Sequence, residues 1–182
     1  MMYLRPYKKS DAKVILSWCE DETVFRKWTS DRYDTYPITE HDMNEKYFDC
    51  NGDCTEEDNF YPMTACDDNG MVGHFIMRYV GGNRHILRIG FVIVDSKKRG
   101  HGYGKKMMRL ALEYAFRIAG AEKVTIGVFE NNRFAYHCYQ AAGFRDVQTE
   151  HHEICELFGE KWQILELEIT REQYFLLSET DL

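Results

Sequence analysis

The sequence has no long hydrophobic run. In a chain of 182 residues, the longest unbroken apolar stretch near the middle is the tetrapeptide Phe91–Val94. About 20 apolar residues are needed to span a bilayer. The segment Met1–Lys9 also lacks the apolar region of a signal peptide. The sequence therefore predicts a cytoplasmic protein without a membrane partner.

The sequence also lacks an excess of basic residues. It has 23 Lys and Arg against 30 Asp and Glu, a net charge of −7, which argues against nucleic-acid binding. No internal repeat, low-complexity segment or linker interrupts the chain, and its 44% hydrophobic and 29% charged residues are ordinary for a soluble globular protein. This length predicts a single domain over residues 1–182.

Metal ligands in a recognisable spacing are scarce as well. The six cysteines of a cytosolic chain are expected to be reduced thiols. Cys50 and Cys54 fit half of a zinc site, but no second pair follows, and the pair His151 and His152 stands alone. The sequence therefore predicts no bound metal.

Charge is distributed unevenly along the chain. Residues 40–70 contain ten acids and one lysine, whereas residues 97–109 contain six bases and no acid. Most such runs are solvated surface. A compact basic segment in an acidic protein nevertheless suggests a bound anion, and the acidic segment would favour a cationic substrate if it lies near the substrate entrance.

The hydrophobic period predicts the order of the secondary structure. Strands are predicted at seven places: Met2–Arg5, Tyr61–Cys66, Met71–Val80, His85–Val94, Val124–Val128, Arg145–Cys155 and Lys161–Ile169. Helices are predicted from Ser10 and over Glu22–Trp28, Glu40–Asp49, Gly102–Gly120, Asn132–Ala142 and Arg171–Leu177. This order supports an α+β (mixed α/β) fold, with helices on both faces of a mixed, mostly antiparallel sheet.

One strand-to-helix connection has the composition of a phosphate site. Three alternate glycines, Gly100, Gly102 and Gly104, stand at the predicted helix start among the six bases. Glycine lets a ligand approach the backbone closely. The first N–H groups of a helix are unpaired and attract anions. The segment Arg99–Lys105 is therefore predicted to bind a pyrophosphate.

Two common phosphate-binding motifs do not fit this segment. A Walker A loop needs Lys and then Ser or Thr after its last glycine, but Gly104 is followed by Lys105 and Lys106. A dinucleotide-binding loop needs the spacing G-x-G-x-x-G and an acid about 20 residues later at a strand end. Neither requirement is met.

Two motifs resemble those of the GCN5-related N-acetyltransferases, the GNAT family. The first matches the pattern R/Q-x-x-G-x-G/A and reads Arg99-Gly100-His101-Gly102-Tyr103-Gly104. The second matches N-x-x-A-x-x-x-Y-x-x-x-G-F and reads Asn132-Arg133-Phe134-Ala135-Tyr136-His137-Cys138-Tyr139-Gln140-Ala141-Ala142-Gly143-Phe144. They occur in the family's order, with one helix and one strand between them. Residues 1–59 resemble the family only loosely, in the manner of its RimJ/RimL-like branch.

The resemblance implies a fold, a co-substrate and roles for named residues. The fold would be a sheet of about seven strands with a V-shaped split between His85–Val94 and Lys123–Val128, and the co-substrate would be acetyl-CoA. The backbone of Val92, Ile93 and Val94 would pair with the pantetheine amides. The backbone N–H groups of Gly100 to Lys105 would hold the pyrophosphate.

The second motif would supply two further side chains. Asn132 would hydrogen-bond the pantetheine arm, although an asparagine here also suits a helix N-cap. Tyr139 would protonate the departing thiolate, and its phenol, with a pKa of about 10, is protonated at neutral pH. A buried core aromatic is the alternative role for Tyr139.

The implied reaction is transfer of the acetyl group to a primary amine, on a small molecule or a protein N-terminus, by direct attack in a ternary complex. The amine must lose a proton, yet Gly127 and Arg88 stand where some family members carry an acid. The base is left open among Glu130, His74, His137 and water. The alternatives are a non-catalytic acyl-CoA-binding module and a plain interaction domain. The identity of the acceptor amine and the formation of a homodimer also stay open.

Overall fold

The computed structural model describes residues 1–180. The strands run in the order β1-β2-β3-β4-β5-β8-β6, and β7 pairs with β8. Their bounds are β1 Tyr3–Pro6, β2 Tyr61–Asp67, β3 Gly70–Val80, β4 Asn83–Val94, β5 Lys123–Phe129, β6 Arg145–Asp146, β7 Glu153–Leu157 and β8 Glu160–Thr170. The α-helices are α1 Ala12–Leu16, α2 Glu22–Thr29, α3 Glu40–Asn44, α4 Tyr103–Glu113, α5 Arg133–Ala142 and α6 Arg171–Thr180.

The chain forms two compact units. The first consists of Met1–Arg78 and Gly90–Tyr103, and the second of Tyr79–Ile89 and the chain from Gly104 onward. The unit boundaries fall within β3, within β4 and after the first residue of α4, so each of these elements contributes residues to both units.

In the first unit, β1, β2 and β3 pair antiparallel. Helices α1, α2 and α3 contribute Ile15, Phe25 and Trp28, among others, to an aromatic-rich core cluster that also includes Tyr33 and Tyr47. Helix α3 begins with a capping box, in which Thr39 and Asp42 each bond the other's backbone N–H. Apolar burial on one side of these short helices stabilises them, since helices of this length are marginal alone.

In the second unit, Ile86–Ile89 of β4 pair in parallel with Lys123–Ile126 of β5. Strand β8 pairs antiparallel with the whole length of β5, and β6 and β7 pair with β8. Helix α4 buries Met107, Met108, Ala111 and Leu112, so one side of this helix packs into the core.

The predicted fold class is confirmed, with eight strands rather than about seven. The expected long strand over Arg145–Cys155 is wrong, because it is divided into β6 and β7 around a connection at residues 147–152. That connection contains the polar residues His151 and His152 and lacks the alternation of apolar side chains that would hold it in a sheet.

Candidate functional site

The glycine-rich connection takes the backbone conformation that its composition predicts. Gly100 and Gly102 have φ values of +79° and +80°, where residues with a Cβ are strained, whereas Gly104 lies within α4. A Cβ added at Gly100 or Gly102 would meet nothing within 4 Å. These glycines therefore serve the turn itself, and the space beside them is open to a ligand.

The side chains of this connection are held locally. Arg99 donates from Nε to the carbonyl of Val94 and from Nη2 to that of Trp18, both at 3.2 Å. The His101 Nδ1 lies 2.9 Å from the carbonyl of Arg99. Lys98 pairs with Asp67 at 3.0 Å and lies over the ring of Tyr103. The charge of Lys98 is therefore partly neutralised, which reduces the positive potential expected from six bases.

The strand before this connection contains a backbone irregularity. Phe91 in β4 has a φ of +49°, although it is not a glycine. Such a conformation costs about 1–3 kcal/mol and persists only when its surroundings hold it. The indole Nε1 of Trp28 in α2 donates to the Phe91 carbonyl at 2.9 Å. The next residues are Val92, Ile93 and Val94, of which Ile93 is buried and the two valines are half-buried.

A buried histidine lies in the same core cluster. His74 is fully buried, its Nε2 is 2.8 Å from the Tyr47 hydroxyl, and its ring contacts those of Tyr7 and Trp28. Burial lowers the pKa of His74 to about 3, and the nearby backbone of Met63 opposes this shift only in part. His74 is therefore neutral at physiological pH and is a poor candidate for the base.

The second unit contains the two side chains of the second motif. Asn132 precedes α5, but its side chain makes no capping hydrogen bond. Tyr139 is 5% exposed, and its ring makes an edge contact with Phe144. No hydrogen bond to its hydroxyl is found within residues 1–180. Burial, with a smaller contribution from Cys138, raises the pKa of Tyr139 well above 10.

An ion pair fills the space beside Gly127, which sequence reasoning missed. Arg88 donates to both oxygens of Glu166 at 2.7 Å, and Glu166 lies opposite Gly127 across β5 and β8. A Cβ at Gly127 would stand 2.7 Å from Arg88 Nη2. A carboxylate is therefore present at this position, but it comes from β8 and is neutralised by arginine. The other candidate bases, Glu130 and His137, are exposed.

Within residues 1–180, no group of three or more His, Cys, Asp and Glu side chains is arranged to hold a metal ion. All six cysteines lie within the described residues, and none of them forms a disulfide bond. No helix in the described part of the chain is long and apolar enough to cross a membrane.

Comparison with known proteins decides the family. The sequence profile of the Acetyltransferase (GNAT) family matches residues 21–144, which is more than half of the chain. The chain belongs to the GNAT acetyltransferase family. It is an acetyl-CoA-dependent N-acetyltransferase, and acetyl-CoA is its co-substrate.

Individual relatives agree with this assignment. The chain is 23% identical over 150 residues to the spermidine N(1)-acetyltransferase of Escherichia coli, covering 78% of this chain and 71% of that protein. It is 36% identical over 69 residues to the GCN5-related N-acetyltransferase 6, chloroplastic, of Arabidopsis thaliana, covering 38% of this chain and 23% of that protein.

A solved structure shares the fold. The spermidine N-acetyltransferase of Vibrio cholerae, in complex with CoA and spermine, superimposes with a TM-score of 0.77 at 18% identity. The match covers 96% of this chain and 98% of that one.

Proposed function

We propose that this acetyltransferase acetylates a primary amine of a polyamine or a similarly polycationic small molecule. The observation that carries this proposal is an uncompensated acidic surface in the first unit. Eight of the ten acids in residues 40–70 are exposed. The only lysine of the segment, Lys46, is already paired with Asp53. Five exposed carboxylates have no ion pair within the described residues: Glu40, Glu45, Asp49, Glu57 and Asp58.

The relatives support the same acceptor class. The proteins from Escherichia coli and Vibrio cholerae are named for spermidine, and the latter structure holds spermine. Polyamines carry several ammonium groups, so a negative surface raises their local concentration and their association rate. A peptide N-terminus carries one such charge and gains less from this field.

The cofactor residues are proposed separately for each unit. In the first, the backbone of Val92, Ile93 and Val94 pairs with the pantetheine amides, and the N–H groups from Gly100 onward hold the pyrophosphate. In the second, Lys105 continues this N–H series, Asn132 hydrogen-bonds the pantetheine arm and Tyr139 protonates the thiolate. Two observations support these roles: Gly100 and Gly102 have positive φ, and the Asn132 side chain makes no capping hydrogen bond to helix α5.

A panel of amines tests the proposed acceptor. Spermidine, spermine, a peptide with a free N-terminus and an aminoglycoside are each incubated with acetyl-CoA, and products are identified by mass spectrometry. We expect acetylated spermidine or spermine and release of one thiol per product. Thiol release only with the peptide would refute the polyamine proposal, as would the absence of release with both polyamines.

The acidic surface predicts a salt-dependent acceptor KM. The Debye length shortens from about 30 Å at 0.01 M to about 8 Å at 0.15 M ionic strength, which screens attraction between exposed charges. We therefore expect the KM for the polyamine to rise with salt. The KM for acetyl-CoA in the same buffers serves as the control for general salt effects, and a polyamine KM that stays flat would contradict the steering.

Replacing Gly102 by valine tests the proposed pyrophosphate loop. A β-branched side chain is strained at a φ of +80° and occupies the open space beside the backbone. We expect CoA affinity to fall at least tenfold, which is about 1.4 kcal/mol, measured by isothermal titration calorimetry. Gly82→Val is the matched control, because Gly82 has a φ of +70° and equally open surroundings in the β3–β4 turn. Unchanged CoA affinity in folded Gly102→Val would remove the loop from the cofactor site.

A further inference from the structure

The hydrogen bond between Trp28 and Phe91 joins helix α2 to the one left-handed residue within β4. It links residues 63 positions apart in the sequence and measures 2.9 Å. Trp28 is 5% exposed and packs by its edge against Phe25 and His74. The indole is therefore held by two ring contacts, and its N–H has a fixed direction.

The direction of this hydrogen bond determines the direction of the next backbone donor. A peptide group is planar and trans, so its C=O and N–H point in opposite directions. Because the carbonyl of Phe91 points at Trp28, the N–H of Val92 in the same peptide group points away from Trp28. The φ of +49° at Phe91 interrupts the extended backbone of the strand at the same residue.

We infer that Trp28 is a positioning residue for the cofactor: by holding the Phe91 carbonyl, it fixes the Phe91–Val92 peptide group and so presents Val92–Val94 to the pantetheine arm. The inference rests on the proposed cofactor site. Without the indole N–H, the carbonyl of Phe91 loses its donor, and the strained backbone at Phe91 turns towards an ordinary strand conformation. Ile93 packs in the same core cluster as Trp28 and Phe91, so the segment has little other freedom.

Two ligands separate this role from a general loss of stability. CoA contains the pantetheine arm, whereas adenosine 3′,5′-bisphosphate has the nucleotide without it. In Trp28→Phe, which keeps an aromatic ring and removes the N–H, we expect CoA affinity to fall at least fivefold and adenosine 3′,5′-bisphosphate affinity to change less than twofold. Isothermal titration calorimetry measures both. Ile15→Val removes a buried methyl group from the same cluster without a polar contact and should change neither affinity.

Each outcome decides the inference. A Trp28→Phe protein that binds CoA as tightly as wild type refutes it, and equal losses for both ligands show a merely structural role. If wild type itself does not bind CoA, the proposed cofactor site fails instead. Should Trp28→Phe not fold, benzothienylalanine at position 28 keeps the shape of the indole, lacks the N–H and gives the same test.

Discussion

Replacing Tyr139 by phenylalanine is expected to lower kcat by roughly ten- to a thousandfold, while the affinity for acetyl-CoA stays near that of wild type. General acid catalysis contributes about 10²–10⁴-fold, and a water molecule in the place of the hydroxyl explains the lower limit. The substitution removes one oxygen from a ring that is 5% exposed and leaves its contact with Phe144. Steady-state kinetics with saturating amine measures the effect.

A second tyrosine on the same helix is the matched control. The Tyr136 hydroxyl donates to Asp146 at 2.9 Å and accepts from Gln140, so it already has partners. Tyr136→Phe should therefore lose some stability and keep the wild-type kcat. Wild-type turnover in Tyr139→Phe, when chemistry limits the rate, would show that Tyr139 is not the acid. A loss that appears only in the KM for acetyl-CoA would make its hydroxyl a binding contact.

Burial has two opposite consequences for Tyr139 as an acid. It raises the pKa well above 10, so the phenol stays protonated at neutral and mildly alkaline pH. The same shift makes proton release harder, since a CoA thiolate has a pKa near 8.5. The phenol is therefore expected to act first as a hydrogen-bond donor to the developing thiolate. It follows that the pH dependence of kcat should show no decline from Tyr139 ionisation below pH 10.

Local patterns in the sequence predicted most of the fold. The period of two in β2, β3 and β4 and the helical period of α4 are properties of short segments, so residue order alone was enough to recognise these elements. The division of the predicted Arg145–Cys155 strand was not recognised, because turn residues are weak signals without a tight-turn dipeptide. The predicted number of strands, about seven, was one too low for a similar reason, since β6 contains only two residues.

The candidate site shows the same limit: its local features could be predicted from the sequence, and its long-range contacts could not. The positive φ of Gly100 and Gly102 could be predicted, because the alternating glycines lie within one short loop. The pair of Arg88 and Glu166 joins residues 78 positions apart, and the Trp28 contact with Phe91 joins residues 63 apart. Nothing in the sequence near either partner indicates such a pairing. The burial of His74 is likewise a tertiary property, and it removes a base that its residue type alone had suggested.

Replacing Asp11 by alanine is expected to destabilise the protein by about 3 kcal/mol. The carboxylate is 3% exposed and accepts two hydrogen bonds from Arg5, one from the Lys8 backbone and one from Thr64. Losing it leaves the Thr64 hydroxyl and part of the Arg5 guanidinium buried without an acceptor. The Arg5 side chain is 23% exposed, which keeps the expected loss at the lower end for a buried pair. Urea unfolding measures it.

An exposed ion pair in the same unit provides the control for this substitution. The pH dependence of stability provides a second test. Asp31 and Arg32 are 3.9 Å apart with both side chains largely exposed, so Asp31→Ala should cost less than about 0.5 kcal/mol. Burial works to raise the pKa of Asp11, but the hydrogen bonds from Arg5, Lys8 and Thr64 outweigh it and lower the pKa. A group with a lowered folded-state pKa stabilises above its unfolded pKa of about 3.9 and loses that contribution as the pH falls through the folded value. The stability difference between wild type and Asp11→Ala should therefore shrink below about pH 4, and a difference that stays constant down to pH 2 would show that the charge of Asp11 does not stabilise the fold.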